Sequence, residues 1–186
     1  QQTFNQQYED HIPLLKMDEK DRQKVFLRMV HVPQAEVNML KVSQVPSAAQ
    51  MTLDAKVRSN KYATQTGQRL FVPVCPVHQG YTVPKGSDER QEDIWINNGY
   101  LDEDDITLTI PDGYVVEARP KDVNIEYPFA VFSFTLQVDG NSIHVKNRLL
   151  KRSGIFDKSL FPQLAEFFRT VSNTYSQKIV LKKAVK

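Results

Sequence analysis

Residues 129–152 read FAVFSFTLQVDGNSIHVKNRLLKR and contain two segments in which apolar and polar side chains alternate. Because successive side chains of a strand point to opposite faces, this alternation is typical of strands with one buried face. Between the two segments lie Asp139, Gly140 and Asn141, which tolerate the backbone angles of a tight turn. The stretch therefore predicts an antiparallel hairpin. Its return arm would direct polar side chains to or near the face opposite the apolar one, namely His144, Lys146, Arg148 and Lys151.

Similar alternation predicts further short strands along the chain. They are expected at 36–42, 51–58, 69–75, 94–96, 106–110, 114–118, 123–127 and 179–181. One helix is predicted from Asp18, which suits an N-cap, and another from Pro162 to about Ser176 with an aromatic stripe. Together these elements predict an α+β, mostly β fold. We expect an antiparallel β-sandwich with one N-terminal helix and one C-terminal helix packed on the sheets.

The chain shows few signs of internal division. Residues 1–17 are Gln-rich at their start and lack periodicity, so they are interpreted as a tail or linker. Residues 18–186 are interpreted as a single β-rich domain, with a possible subdivision near 84–92, where Pro, Gly and Ser indicate an exposed loop. Because the first residue is Gln1 and not Met, we expect a fragment of a longer protein.

Composition excludes several classes of function. The 186 residues include 24 Lys and Arg against 22 Asp and Glu, and a net charge of +2 does not indicate a nucleic-acid or membrane-surface partner. The single cysteine, Cys75, excludes an internal disulfide and a multi-cysteine zinc site. No apolar run approaches the roughly 18 residues of a membrane span, and the first residues do not resemble a signal peptide.

Two short motifs contain residue types that could carry chemistry. Cys75 and His78 have a spacing seen in metal sites, but a site needs three or four donors and the other histidines add none. For catalysis, a cysteine nucleophile and a histidine base must also meet in space. The three-residue separation of Cys75 and His78, with Pro76 between them, does not predict such a contact. We therefore expect Cys75 to be a small buried side chain. The acidic run 102–105 could bind calcium, yet its spacing is not that of an EF-hand. We expect it to face water in a loop.

The order of features resembles one known family. The phrases are RLFVPV at 69–74, ERQEDIWI at 89–96, DDITLTIPDGYVVEARP at 104–120 and KIVLKK at 178–183, with the hairpin and an aromatic helix between the last two. This succession, from Asp18 to Lys183, resembles the uncharacterised C-terminal domain that follows the catalytic core of bacterial transglutaminase-like proteins. Those proteins are typically exported and also carry an N-terminal β domain.

The resemblance implies a function in association with an enzyme. The transglutaminase-like core uses a Cys-His-Asp triad, and nothing around Cys75 resembles the core motif. The resemblance therefore implies a non-catalytic accessory domain without a cofactor. It also implies a location in the periplasm or cell envelope, with the upstream domains of the same polypeptide as partners. The domain would position an upstream cysteine hydrolase or help it select substrate. We expect contact with a neighbouring domain first at Lys146, Arg148, Lys151 and Arg152.

Two other functions are compatible with the sequence. A free-standing cell-envelope module for glycan or protein would use exposed aromatic side chains in or beside loops, and the candidates are Tyr81, Trp95 and Tyr100. A cysteine enzyme would use Cys75, and labelling of the thiol would then abolish its activity.

Overall fold

The computed structural model describes residues 2–4, 6–78, 80–83 and 90–184. It divides the chain into two units, Gln1–Tyr62 and Ala63–Lys186. This division differs from the predicted single domain over 18–186. Most of the predicted subdivision at 84–92 lies outside the described residues.

The first unit contains helices where a tail was predicted. Its elements are β1 (Gln2–Phe4), α1 (Gln6–His11), α2 (Pro13–Lys16), α3 (Glu19–Met29), β2 (Glu36–Val45) and β3 (Gln50–Arg58). The strands form an antiparallel sheet in the order β1-β3-β2. Leu14 of α2 is buried with Phe26 and Met51, and the Arg22 guanidinium donates to the Leu14 carbonyl at 2.8 Å. Ile12, Leu14 and Leu15 are therefore part of a small core, in or beside helices too short to show periodicity.

The helix predicted from Asp18 is present as α3. The Asp18 carboxylate accepts a hydrogen bond from the backbone N–H of Asp21 at 2.9 Å, which is the expected N-cap geometry.

The second unit consists of antiparallel sheets and one long helix. Its strands are β4 (Thr64–Thr66), β5 (Arg69–Pro73), β6 (Ile94–Ile96), β7 (Tyr100–Thr109), β8 (Tyr114–Ala118), β9 (Val123–Tyr127), β10 (Ala130–Asp139), β11 (Ser142–Lys151), β12 (Gly154–Phe156) and β13 (Lys178–Lys183). One sheet has the order β7-β11-β10-β9 and another the order β4-β5-β13-β8, while β6 and β12 form a two-stranded ribbon. Helix α4 spans Phe161–Tyr175. This mostly β, α+β, sandwich-like architecture confirms the predicted fold class.

The hairpin predicted over 129–152 is formed by β10 and β11. Its register pairs Asp139 with Ser142 across a two-residue turn, in which Gly140 has a φ of 56°. A turn of this type requires positive φ, which glycine adopts without steric cost. Phe132 and Phe134 of β10 are fully buried, and they share one core with Phe167 of α4. The hairpin, both larger sheets and the helix thus enclose the same apolar interior.

The acidic run lies in strand β7 and not in a loop as predicted. Within β7 the side chains of Glu103 and Asp105 are exposed, whereas Asp102 and Asp104 are only partly exposed. The exposed acids lie opposite cations of β11 in the register, Glu103 opposite Arg148 and Asp105 opposite Lys146. Opposite charges on neighbouring strands stabilise the pairing, which explains how four acids occupy a strand.

In the described part of the chain, no helix is both long and apolar enough to cross a membrane.

Candidate functional site

Cys75, His78 and Asp104 meet in the second unit. Cys75 follows β5, and the backbone N–H of His78 donates to its Sγ at 3.4 Å. The His78 Nε2 atom lies 3.1 Å from Asp104 Oδ2, and Cys75 Sγ lies 3.9 Å from the same oxygen. Spacing alone did not predict this proximity, because Asp104, the residue that both side chains contact, belongs to the run predicted to be a solvated loop.

Asn147 and Tyr175 complete this group of side chains. Asn147 Nδ2 donates to Asp104 Oδ2 at 2.8 Å, and the Tyr175 hydroxyl donates to Asn147 Oδ1 at 3.3 Å. The Tyr175 ring also stacks on the His78 imidazole, with centroids 5.3 Å apart. We call these five residues the Asp104 cluster. It connects the segment after β5 with strands β7 and β11 and helix α4.

The surroundings set the protonation of the cluster. Burial opposes ionisation of Asp104, but the hydrogen bonds from His78 and Asn147 outweigh it and lower the pKa of the carboxyl group. The hydrogen bond to Asp104 raises the pKa of His78 above its ordinary value. Burial raises the pKa of the Cys75 thiol. These shifts favour an imidazolium paired with a carboxylate, beside a neutral thiol.

This arrangement does not favour nucleophilic chemistry at Cys75. A cysteine nucleophile reacts as the thiolate and is activated by a neighbouring base or a lowered pKa. Here Nε2 of His78 faces Asp104, and the thiol is buried with a raised pKa. Among the described residues, no group of three or more His, Cys, Asp or Glu side chains is placed to hold a metal ion. The geometry is that of a buried polar network that fixes the segment after β5.

Replacement of His78 by glutamine is expected to make the stability of the second unit less dependent on pH. When the pKa of a histidine is raised in the folded state, the stabilisation is complete below its pKa in the unfolded chain, about 6.5. It disappears as the pH rises through the pKa of the folded state. The stabilisation that comes from the lowered pKa of Asp104 is complete above about pH 3.9, the pKa of the unfolded chain, and is lost as the pH falls below it. We therefore expect His78→Gln to cost about 1–2 kcal/mol near pH 5.5 and clearly less near pH 9, measured by urea unfolding.

The matched control for this prediction is His144→Gln. His144 contacts Thr107 Oγ1 at 3.3 Å and does not belong to the Asp104 cluster. His144→Gln should leave the difference in the free energy of unfolding between the two pH values as it is in the wild type. An equal cost of His78→Gln at both pH values would contradict the assignment of a charged pair.

The cations predicted to contact a neighbouring domain already have partners within the second unit. Lys146 Nζ lies 3.3 Å from Asp105, and Arg148 Nε lies 3.2 Å from Glu103. Arg152 lies 3.3 Å from Glu126 and also donates to backbone carbonyls, and Lys151 Nζ lies 4.6 Å from the centroid of the Tyr100 ring. By strand alternation Lys151 shares the face of Leu149 and not that of Arg148, because side chains two apart lie on one face. An interdomain contact at these residues stays a prediction.

The three candidate ligand aromatics differ in exposure. Tyr81 and Tyr100 are half-buried against the core, so they are not the exposed platform that was predicted. Trp95 is 74% exposed. It lies directly opposite Ile155, which is 72% exposed, in the ribbon of β6 and β12. Sequence reasoning missed Ile155 because no strand was predicted between the hairpin, which ends at Arg152, and the helix from Pro162.

The residues next to the Trp95–Ile155 pair pack into the core of the second unit. Ile94 of β6 is buried, and the ring of Phe156 in β12 packs edge-on against that of Phe129, with centroids 6.1 Å apart. The Asp93 carboxylate accepts a hydrogen bond from the backbone N–H of Lys158 at 3.2 Å. The ribbon is thus attached to the core through the neighbours of the pair.

Comparison with known families gives a match over the second unit. A family model described as a domain of unknown function with solved structure, DUF3858, matches residues 68–181. The matched range lies within the second unit and includes the Asp104 cluster and the Trp95–Ile155 pair. No curated protein and no solved structure matches the chain significantly.

Proposed function

The chain belongs to the DUF3858 family of domains of unknown function, and we propose that it is a non-catalytic accessory domain of a larger exported transglutaminase-like protein. The order of sequence phrases from 69 to 183 supports this wider context by resemblance. In this role the domain binds the upstream catalytic domain in the cell envelope and positions it or helps it select substrate.

The exposed Trp95–Ile155 pair carries this proposal. Two large apolar side chains that face solvent together are unusual unless another surface covers them. Tryptophan is also among the residues that contribute most to binding energy at protein interfaces. Because Ile94 and Phe156 attach the ribbon to the core, the pair is held in place before binding, which lowers the entropic cost of association.

The Asp104 cluster supports the non-catalytic part of the proposal. Its only thiol is buried, its imidazole faces a carboxylate, and its amide and phenol are bound to each other. These contacts connect four separate segments of the fold. Such a network stabilises a scaffold, and this role agrees with a domain that acts through its surface.

Truncation of the Trp95–Ile155 pair is expected to weaken binding to the catalytic domain. We expect Trp95→Ala to raise the Kd for the transglutaminase-like domain encoded in the same reading frame by at least about tenfold, and Ile155→Ala to raise it less. Isothermal titration with the full chain measures both values. Val45→Ala, which truncates an exposed side chain in the first unit, is the control and should bind unchanged.

The same titration tests the cationic residues. Lys146→Glu and Arg148→Glu should have a smaller effect than Trp95→Ala, because both cations already face carboxylates. Wild-type affinity in Trp95→Ala would contradict docking through the pair. A reading frame whose upstream region has no Cys, His and Asp in core order would contradict the enzyme association.

A second candidate function is glycan binding, which the same exposed indole favours because sugars stack on aromatic faces. A glycan array probed with the full chain separates the two candidates. Glycan binding that is lost in Trp95→Ala, without binding to the catalytic domain, would favour the envelope module.

A further inference from the structure

A groove of about 450 Å³ lies at the end of the second unit where the β7–β8 and β10–β11 turns meet. Its lining includes Ile110, which is buried, and Val115 and Val138, which are exposed. Asp112 and Gly140 line its rim. The groove is distinct from the Trp95–Ile155 pair, and no residue of the Asp104 cluster lines it.

Strand β8 has an open edge beside this groove. It is the outermost strand of the order β4-β5-β13-β8, and among the described strands β13 alone pairs with it. An outermost strand presents unpaired backbone N–H and C=O groups that can accept a further strand, and proteins protect such edges with lysine, proline or a covering element. The sequence of β8, YVVEA, contains neither lysine nor proline.

Strand β10 has a second open edge at Val138. Pairing of β10 with β9 ends at Phe134, and beyond it the Leu136 backbone is occupied by side chains. The Leu136 N–H donates to Asp122 Oδ1 at 3.1 Å, and its carbonyl accepts from the Arg119 guanidinium. Backbone groups two residues apart point to the same side of a strand. The N–H and C=O of Val138 therefore face this side as well, and within the described residues neither has a partner there.

One carboxylate lines the groove, that of Asp112. It forms no ion pair with any described residue. The next acid, Asp139, follows Val138 in β10 and therefore lies on the opposite face of the strand. Two cations of β13 lie opposite β8 in the register, Lys182 opposite Val115 and Lys183 opposite Tyr114, and Lys182 Nζ lies 3.9 Å from Glu117. The groove thus combines two open strand edges, apolar side chains and an unpaired carboxylate.

We propose that this groove binds an extended peptide segment of a partner protein, added as a strand along β8. Main-chain hydrogen bonds to an edge give such binding its affinity, and alternate side chains give it specificity. A valine-sized or isoleucine-sized side chain of the segment packs against Val138. A lysine or arginine residue of the segment faces Asp112. This inference rests on a different surface from the proposed docking site and does not depend on it.

The test uses a synthetic peptide, acetyl-Lys-Thr-Val-Thr-Val-Thr-Lys-amide, titrated into the isotope-labelled full chain to about 1 mM while amide NMR shifts are recorded. We expect shifts confined to 114–118 and 138–141. Two N-methylated versions of the peptide, one for each set of alternate amides, identify the hydrogen-bonding edge. One version should lose at least about tenfold in affinity and the other should keep it.

Val138→Lys provides a variant that keeps its fold, because position 138 is already 42% exposed. It should weaken peptide binding at least about tenfold by closing the edge and adding positive charge. Val45→Lys, at a position that is 47% exposed in the first unit, is the matched control and should bind as the wild type does. The proposal fails if no shifts occur at 114–118 and 138–141, if Val138→Lys binds normally, or if both N-methylated peptides bind equally well.

Discussion

Replacement of Phe129 by alanine is expected to lower the free energy of unfolding of the second unit by about 3–5 kcal/mol. Phe129 is fully buried, and its ring stacks on that of Tyr127 with centroids 5.4 Å apart. It also packs edge-on against Phe156 and Phe167, at 6.1 and 5.9 Å. One ring therefore joins strand β9, the ribbon and helix α4, and its removal leaves a cavity that none of these elements can fill alone.

Urea unfolding followed by circular dichroism measures this loss. Leu101→Ala, which truncates an exposed side chain of β7, is the control and should change stability by less than about 0.5 kcal/mol. A loss below about 1 kcal/mol in Phe129→Ala would show that the three elements do not share one core at this position.

Replacement of Asn147 by aspartate is expected to destabilise the second unit by about 2–5 kcal/mol at neutral pH. The Asn147 amide donates to Asp104 Oδ2 at 2.8 Å, so the change converts a buried donor into a buried carboxylate next to that of Asp104. Burial and the neighbouring charge both raise the pKa of the introduced group in the folded state. The destabilisation should therefore decrease as pH falls, since protonation removes the repulsion.

Unfolding of this variant at about pH 5 and about pH 8 tests both the magnitude and its direction with pH. Asn124→Asp makes the same chemical change at an exposed position of β9 and should have little effect at either pH. A cost of Asn147→Asp that is equal at both pH values, or that grows toward acid, would contradict the direct contact with Asp104.

The sequence predicted the elements whose signals are local. The β10–β11 hairpin follows from alternation and from Gly140, and helix α4 follows from Pro162 and an aromatic stripe. Each of these signals lies within about 25 residues of chain, so no knowledge of the tertiary fold is needed to interpret it.

The candidate sites depend on partners that are distant in sequence. In the sequence, the acids at 102–105 resemble a loop. In the fold, β11 pairs with them and places Arg148 and Lys146 on one face and Asn147 on the other. Ile155 becomes part of a surface only through its pairing with Trp95. The open edge at Val138 exists because β9 ends its pairing at Phe134. Strand pairing of this kind is set by the whole fold, and local patterns do not encode it.

The most direct test of the proposed function follows the single tryptophan of the chain. The full chain is labelled with 5-fluorotryptophan, which gives one fluorine NMR signal because Trp95 is the only tryptophan. Its shift difference between H₂O and D₂O reports the exposure of the indole. On addition of the upstream transglutaminase-like domain that the proposed function requires, we predict that the signal moves and loses this solvent difference. A signal that stays unchanged up to about 1 mM of that domain would contradict docking through the Trp95–Ile155 pair.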